Sequence, residues 1–137
     1  MLERGHDIML SSRLYAREIQ ILNTLFTSDR PMTVQDIIME NPGLSQSTVH
    51  TILRKLCKNG LVEVVEMVYS GNVLARAVKG TEKAKQEVLL YMVDEYQKIS
   101  GILSIAEVVD AMLAAESDDQ KRINLLQEPI NIVSQTD

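Results

Sequence analysis

Residues 44–62 read LSQSTVHTILRKLCKNGLV, and this stretch decides the fold. Ser45 stands where a hydroxyl caps the first turn of a helix, and Gly60 where a residue of positive φ ends one. Between them Val49, Ile52, Leu53 and Leu56 recur at three- and four-residue steps, so one narrow face must pack inward. Ser47, Thr51, Arg54 and Lys58 fall opposite that face. His50 flanks it on one side, Thr48 and Lys55 on the other. No carboxylate occurs from Gln46 to Asn59. The bland explanation is a surface helix whose last turns carry Arg54, Lys55 and Lys58 to match the helix dipole. A solvated face of an acidic protein, however, mixes Glu with Lys, whereas a face that approaches phosphates excludes carboxylates. Gln46, Ser47, Thr48, His50, Thr51 and Arg54 are therefore candidate readers of base edges in a major groove, and Lys55 and Lys58 candidate phosphate ligands.

The flanking sequence supplies a context for that helix. Leu14, Ile19, Leu22, Leu25 and Phe26 have helical spacing, with Ser11 or Ser12 as the expected cap and Pro31 as the limit. Thr33 and Asp36 make a short capping box for a helix carrying Val34, Ile37 and Ile38, which Asn41-Pro42-Gly43 ends. After Gly60 the pattern changes to β-branched runs, Leu61–Tyr69 and Val73–Val78, around Ser70-Gly71-Asn72. That is a hairpin, closed by Gly80. Thr81 caps a long helix through Val88, Leu89, Met92, Val93 and Tyr96. Ser100-Gly101 interrupts it, and a second apolar helix is expected over Ile102–Ala115. Ile123, Leu125 and Leu126 suggest a last short helix, and Pro129–Asp137 a frayed end.

The order helix, helix, turn, helix, hairpin is the winged form of the helix-turn-helix. The fold class is mainly α. Residues 1–80 are expected to form a DNA-binding domain with a two-stranded wing at about 62–79, and residues 81–137 a helical dimerisation region. The dimer surface is assigned to Val88, Leu89, Met92, Val93, Ile102, Leu103, Ile105, Val108, Val109, Met112 and Leu113. They are more apolar surface than a short appended bundle buries alone. Tyr91, Tyr96, Met92 and Met112 fit the same dimer core better than an effector pocket.

Composition bounds the remaining classes. The 137 residues carry a net charge of −5. Residues 1–80 hold nine Lys/Arg against eight Asp/Glu, and residues 81–137 five against eleven. The acidic excess thus lies away from the candidate interface, though weak non-specific affinity is expected. Arg76 and Lys79 are the hairpin's only cations, and Arg76 joins the DNA-binding candidates. A single cysteine, Cys57, excludes an intrachain disulfide. With no signal-like or membrane-length apolar run, a cytoplasmic location is expected. His6, His50 and Cys57 match no metal-site spacing, so no metal or cofactor is expected. Cys57, beside Lys58 on a helix flank, is expected to be a half-buried, inert thiol. No nucleophile motif or phosphate-binding loop is present, and an enzyme is not expected.

Residues 44–62 resemble the recognition-helix segment of the penicillinase repressor family, which includes β-lactamase, methicillin-resistance and copper-responsive repressors. The likeness extends to residues 17–26, REIQILNTLF, and 33–38, TVQDII, and in layout to about residues 14–115. It implies a homodimer on a palindromic operator of double-stranded DNA, blocking transcription, with induction by a protease cutting the dimerisation region. The copper-responsive branch uses a C-terminal cysteine cluster, and no cysteine follows Cys57 here. Two other readings stay open on sequence: a regulator like those of multiple antibiotic resistance with a small-molecule effector, and a winged-helix interaction module that has lost DNA binding.

Overall fold

A computed structural model describes residues 14–116, 118–121, 123, 124 and 127. The caps expected at Ser11 or Ser12, the apolar Leu125 and Leu126, and the tail from Pro129 lie outside these residues. The described elements run α1 (Ala16–Thr27), α2 (Val34–Glu40), α3 (Gln46–Lys58), β1 (Val62–Ser70), β2 (Val73–Gly80), α4 (Glu82–Gln97) and α5 (Ile105–Ala115). The mainly helical winged helix-turn-helix expected from the sequence is the fold observed.

Local chemistry sets each boundary. At the start of α1, the Glu18 carboxylate accepts the Tyr15 backbone N–H at 3.0 Å. In α2 the Thr33 hydroxyl accepts the Asp36 N–H at 3.2 Å, and the Asp36 carboxylate accepts the Thr33 N–H at 3.0 Å. The α2 helix ends on Asn41, whose buried amide donates to the Ile37 carbonyl and to the Thr24 hydroxyl and accepts from Gln20. Ser45 caps α3 by accepting the Thr48 N–H at 3.2 Å. Gly60 ends α3 with φ of 77°, and a Cβ there would meet only the Lys83 side chain, at ordinary contact distance. Gly60→Ala is therefore expected to cost about 1–2 kcal/mol through backbone strain alone, read as a shifted urea midpoint with unchanged slope.

The Thr33 backbone N–H, ahead of the Thr33 hydroxyl and Arg30, holds the Asp36 carboxyl below its ordinary pKa. A carboxylate favoured in the folded state stabilises above its unfolded pKa, and that contribution fades as pH falls through the lowered value. Asp36→Asn is accordingly expected to lose less stability than the parent between about pH 5 and pH 3, measured by urea titration at both.

The wing pairs antiparallel from Val62↔Gly80 to Ser70↔Val73. Gly71, first of the two loop residues, takes φ of 66°, as tight hairpin turns require. A bulge falls at Val65, between Val64 and Glu66. Met32, between α1 and α2, bridges to Val78 through reciprocal backbone bonds of 2.9 and 2.8 Å. The core beneath comprises Ile21, Leu22, Ile37, Val49 and Leu56, all fully buried, with Leu25, Leu53, Leu61, Val62 and Val78 around them.

The chain forms two compact units, which part between Asp94 and Glu95, within α4. The reason is α4: Ala84 is buried, and Val88 and Tyr91 pack on the winged-helix core. Thr81 fastens its start, accepting the Ala84 N–H at 3.3 Å while donating to the Gly60 carbonyl at 2.7 Å. Val88, grouped with the dimer residues on sequence, thus serves its own protomer. Leu89, Met92 and Val93 are exposed, Met92 one turn beyond Val88 and the other two further round α4. In the second unit α5 begins at Ile105, later than the expected Ile102. Ser104 and Glu107 form a capping box there, with bonds of 3.1 and 2.9 Å, and residues 98–102 form turns instead. None of the α5 residues is buried. Ile105, Val109 and Met112 make an exposed apolar stripe, with Ile102 and Leu103 exposed just before it and Val108 and Leu113 half-buried.

Candidate nucleic-acid interface

Helix α3 sits with Val49, Leu53 and Leu56 buried and Ile52 half-buried. Its opposite side is therefore turned to solvent. Gln46, Ser47, His50, Thr51, Arg54 and Lys58 are all exposed, in agreement with the helical wheel. Neither Arg54 nor Lys58 has a carboxylate partner among the described residues. These cations keep their charge available to a ligand. The Lys83 ammonium donates to the Asn59 carbonyl at 2.9 Å, adding a cation at the negative end of α3.

Two expected members stand apart. Thr48 is half-buried, and its hydroxyl accepts a hydrogen bond from Ser45 at 2.9 Å. Its hydroxyl is thus engaged in the N-terminal cap of α3. Lys55 is turned toward α1. Its ammonium lies 2.6 Å from the Glu18 carboxylate and 4.7 Å from the centre of the Tyr15 ring. Glu18 is only 5% exposed, and a buried carboxylate needs a partner. Lys55, expected on sequence to meet phosphate, is therefore paired within the protomer rather than free on the exposed side of α3.

The wing closes one flank of α3. Gln46, His50, Arg54 and Cys57 from the helix, with Arg76, Leu74 and Val64 from the hairpin, line an open groove of about 740 Å³. Arg76 is exposed there and acts electrostatically on Cys57. Partial desolvation pushes the Cys57 thiol up, and Arg76 draws it back only in part. Cys57 itself is exposed, not half-buried. With a raised pKa it is nonetheless expected to react more slowly than a free thiol with Ellman's reagent at pH 7, and Arg76→Ala should slow it further. Elsewhere the wing exposes apolar side chains together with the carboxylates of Glu63 and Glu66. Val64, Met67, Tyr69, Val73 and Leu74 are exposed, and Lys79 lies across the ladder from Glu63.

The opposite flank of α3 went unread in the sequence. Tyr15 and Arg17, in the first turn of α1, line a shallow depression of about 360 Å³ with Ser47, Thr48 and Thr51. The only local clue was Glu18, which falls on the same α1 stripe as Ile21, Leu22 and Leu25. A carboxylate in an apolar stripe implies a buried cation partner, but not which one.

Among the described residues, no group of three or more His, Cys, Asp and Glu is placed to hold a metal ion, and no helix is long and apolar enough to cross a membrane.

The model of the penicillinase repressor family matches residues 14–131, spanning both units. No curated protein matches the chain. Among solved structures, the chain is similar to the PcaV transcriptional regulator of Streptomyces coelicolor in complex with its natural ligand. The TM-score is 0.50 and the identity 18%, over 98% of this chain and 86% of that one. It is also similar to Staphylococcus aureus MarR in complex with salicylate and kanamycin, with TM-score 0.48 and 20% identity over 98% and 74% of the two chains. The adhesin competence repressor of Streptococcus pyogenes gives TM-score 0.48 and 16% identity over 98% and 85%. At these identities the likeness concerns the fold.

Proposed function

The chain belongs to the penicillinase repressor family and is a bacterial transcriptional repressor; from that premise we propose that it acts as a homodimer whose two α3 helices enter successive major grooves of a palindromic operator. The observation that carries the reading is the exposed side of α3. Gln46, Ser47, His50, Thr51, Arg54 and Lys58 share it, no carboxylate interrupts it, and its cations are unpaired among the described residues. Ser47, His50, Thr51 and Arg54 read base edges, while Lys58 and Arg76 neutralise phosphates. Families of this kind are DNA-binding regulators rather than enzymes, and typically dimeric.

Dimerisation is assigned to the apolar side chains that one protomer leaves in water: Leu89, Met92 and Val93 on α4, and Ile102, Leu103, Ile105, Val109 and Met112 in and before α5. Cleavage in this region by an inducing protease would end repression by separating the two recognition helices. The test is a gel-shift and sedimentation series on duplexes selected by the protein from a randomised two-fold-symmetric library. Selection of half-sites about one helical turn, or a multiple, apart supports the reading. A protein that selects nothing above background is instead an interaction module.

A further inference from the structure

A recognition helix in a major groove about 12 Å wide is walled on both sides by sugar–phosphate backbones, one from each strand. Both flanks of α3 then need a cation. On the wing flank, beside Gln46 and His50, Arg76 is exposed and has no ion pair among the described residues. On the opposite flank Lys55 is the cation of α3 itself, and Glu18 has consumed it at 2.6 Å. Arg17 stands on that flank, exposed, also without an ion pair among the described residues, and lining one depression with Ser47 and Thr51.

We propose that Arg17 is a DNA-contacting residue, binding a backbone phosphate of the strand on the α1 side while Arg76 binds one on the wing side. The proposal rests on the assignment of α3 to the major groove. The Glu18–Lys55 pair satisfies the buried Glu18 carboxylate, while Ile21 and Leu22 share one apolar core with Val49 and Leu53 and hold α1, with Arg17, against α3. In effect the ion-paired lysine and the phosphate-binding arginine have divided the labour on this flank. The sequence of α3 alone therefore misassigns its own phosphate ligand.

The experiment uses a duplex selected by the wild-type chain, with binding measured from about 50 to 200 mM salt. Each phosphate contact contributes about 0.9 to the slope of log affinity against log salt, so Arg17→Ala in a two-fold dimer should lower the slope by about two units. Arg76→Ala should do the same. Phosphate-ethylation interference should lose one position on one strand for Arg17→Ala and one on the opposite strand for Arg76→Ala in each half-site. Replacing Glu18 and Lys55 together by Met leaves no unpaired buried charge and should leave the slope unchanged. An unaltered slope and ethylation pattern for Arg17→Ala, in a protein whose wild type binds and whose Arg54→Ala form binds poorly, overturns this proposal alone. A two-unit fall on removing the Glu18–Lys55 pair overturns it in favour of Lys55. Failure of the wild type to select any duplex overturns the placement of α3 as well.

Discussion

Met92→Asp combined with Val109→Asp is expected to turn the protein into a monomer and to weaken operator binding about 10²–10⁴-fold, the range gained when two modules are joined. Both side chains are about half exposed in the protomer, 47% and 43%, so the changes should leave the protomer's own core intact. Met92 is exposed one turn beyond Val88, at the edge of the face that packs on the core, and adjoins Leu89 and Val93. Val109 is the middle member of the Ile105–Val109–Met112 stripe. In a dimer these positions are desolvated, and a carboxylate buried without a partner is not tolerated there. The monomer keeps the recognition face but engages one half-site at a time. Sedimentation velocity gives the mass and a gel shift on the selected duplex gives the affinity. A double variant that stays dimeric and binds normally would place the dimer surface elsewhere.

Short-range interactions are legible in this sequence, and tertiary ones are not. Ser45, the Val49–Leu53–Leu56 spacing and Gly60 define α3 within a span of 16 residues, because caps and helical periodicity are short-range effects. The hairpin was equally legible from its valines and Gly71. The Val65 bulge and the Met32–Val78 bridge were not, since each depends on how distant backbone groups meet. The capping box of Ser104 and Glu107 was present in the sequence, but the apolar run from Ile102 drew the helix start forward. Val88 shows a different limit. A helix apolar on two faces offers no single stripe, so its inward residue was grouped with its outward neighbours.

The interface divides along the same line. Exposure of Ser47, His50, Thr51, Arg54 and Lys58 follows from the wheel, because burial of Val49 and Leu53 dictates where the other side points. Lys55 could not be assigned that way, since its partner Glu18 is 37 residues distant and its direction is fixed by a tertiary ion pair. A charge count along α3 consequently overstates its free charge by one. The unpaired cations flanking and facing the groove are Arg17, Arg54, Lys58 and Arg76 among the described residues, two of them contributed by other elements.

Arg54→Ala and Lys58→Ala separate base reading from charge. Arg54 is on the exposed side of α3 and lines the wing groove with Gln46 and His50, whereas Lys58 is at the last position of the helix, where a phosphate is the nearer target. Loss of a bidentate arginine–guanine contact costs about 1–3 kcal/mol, or about 5- to 150-fold, at each half-site. Arg54→Ala should therefore bind the selected duplex far more weakly while discriminating less at one base pair per half-site. Lys58→Ala should weaken every sequence alike and lower the salt slope by about 0.9 per half-site. Because the chain carries net −5, its non-specific binding starts low, and loss of the Arg54 contact has little background affinity to fall back on. Competition binding with substituted half-sites distinguishes the two effects, given circular dichroism showing both variants folded. Equal loss on all sequences for Arg54→Ala would make it a phosphate ligand and leave base reading to Ser47, His50 and Thr51. No loss from either variant would remove α3 from the DNA-binding surface.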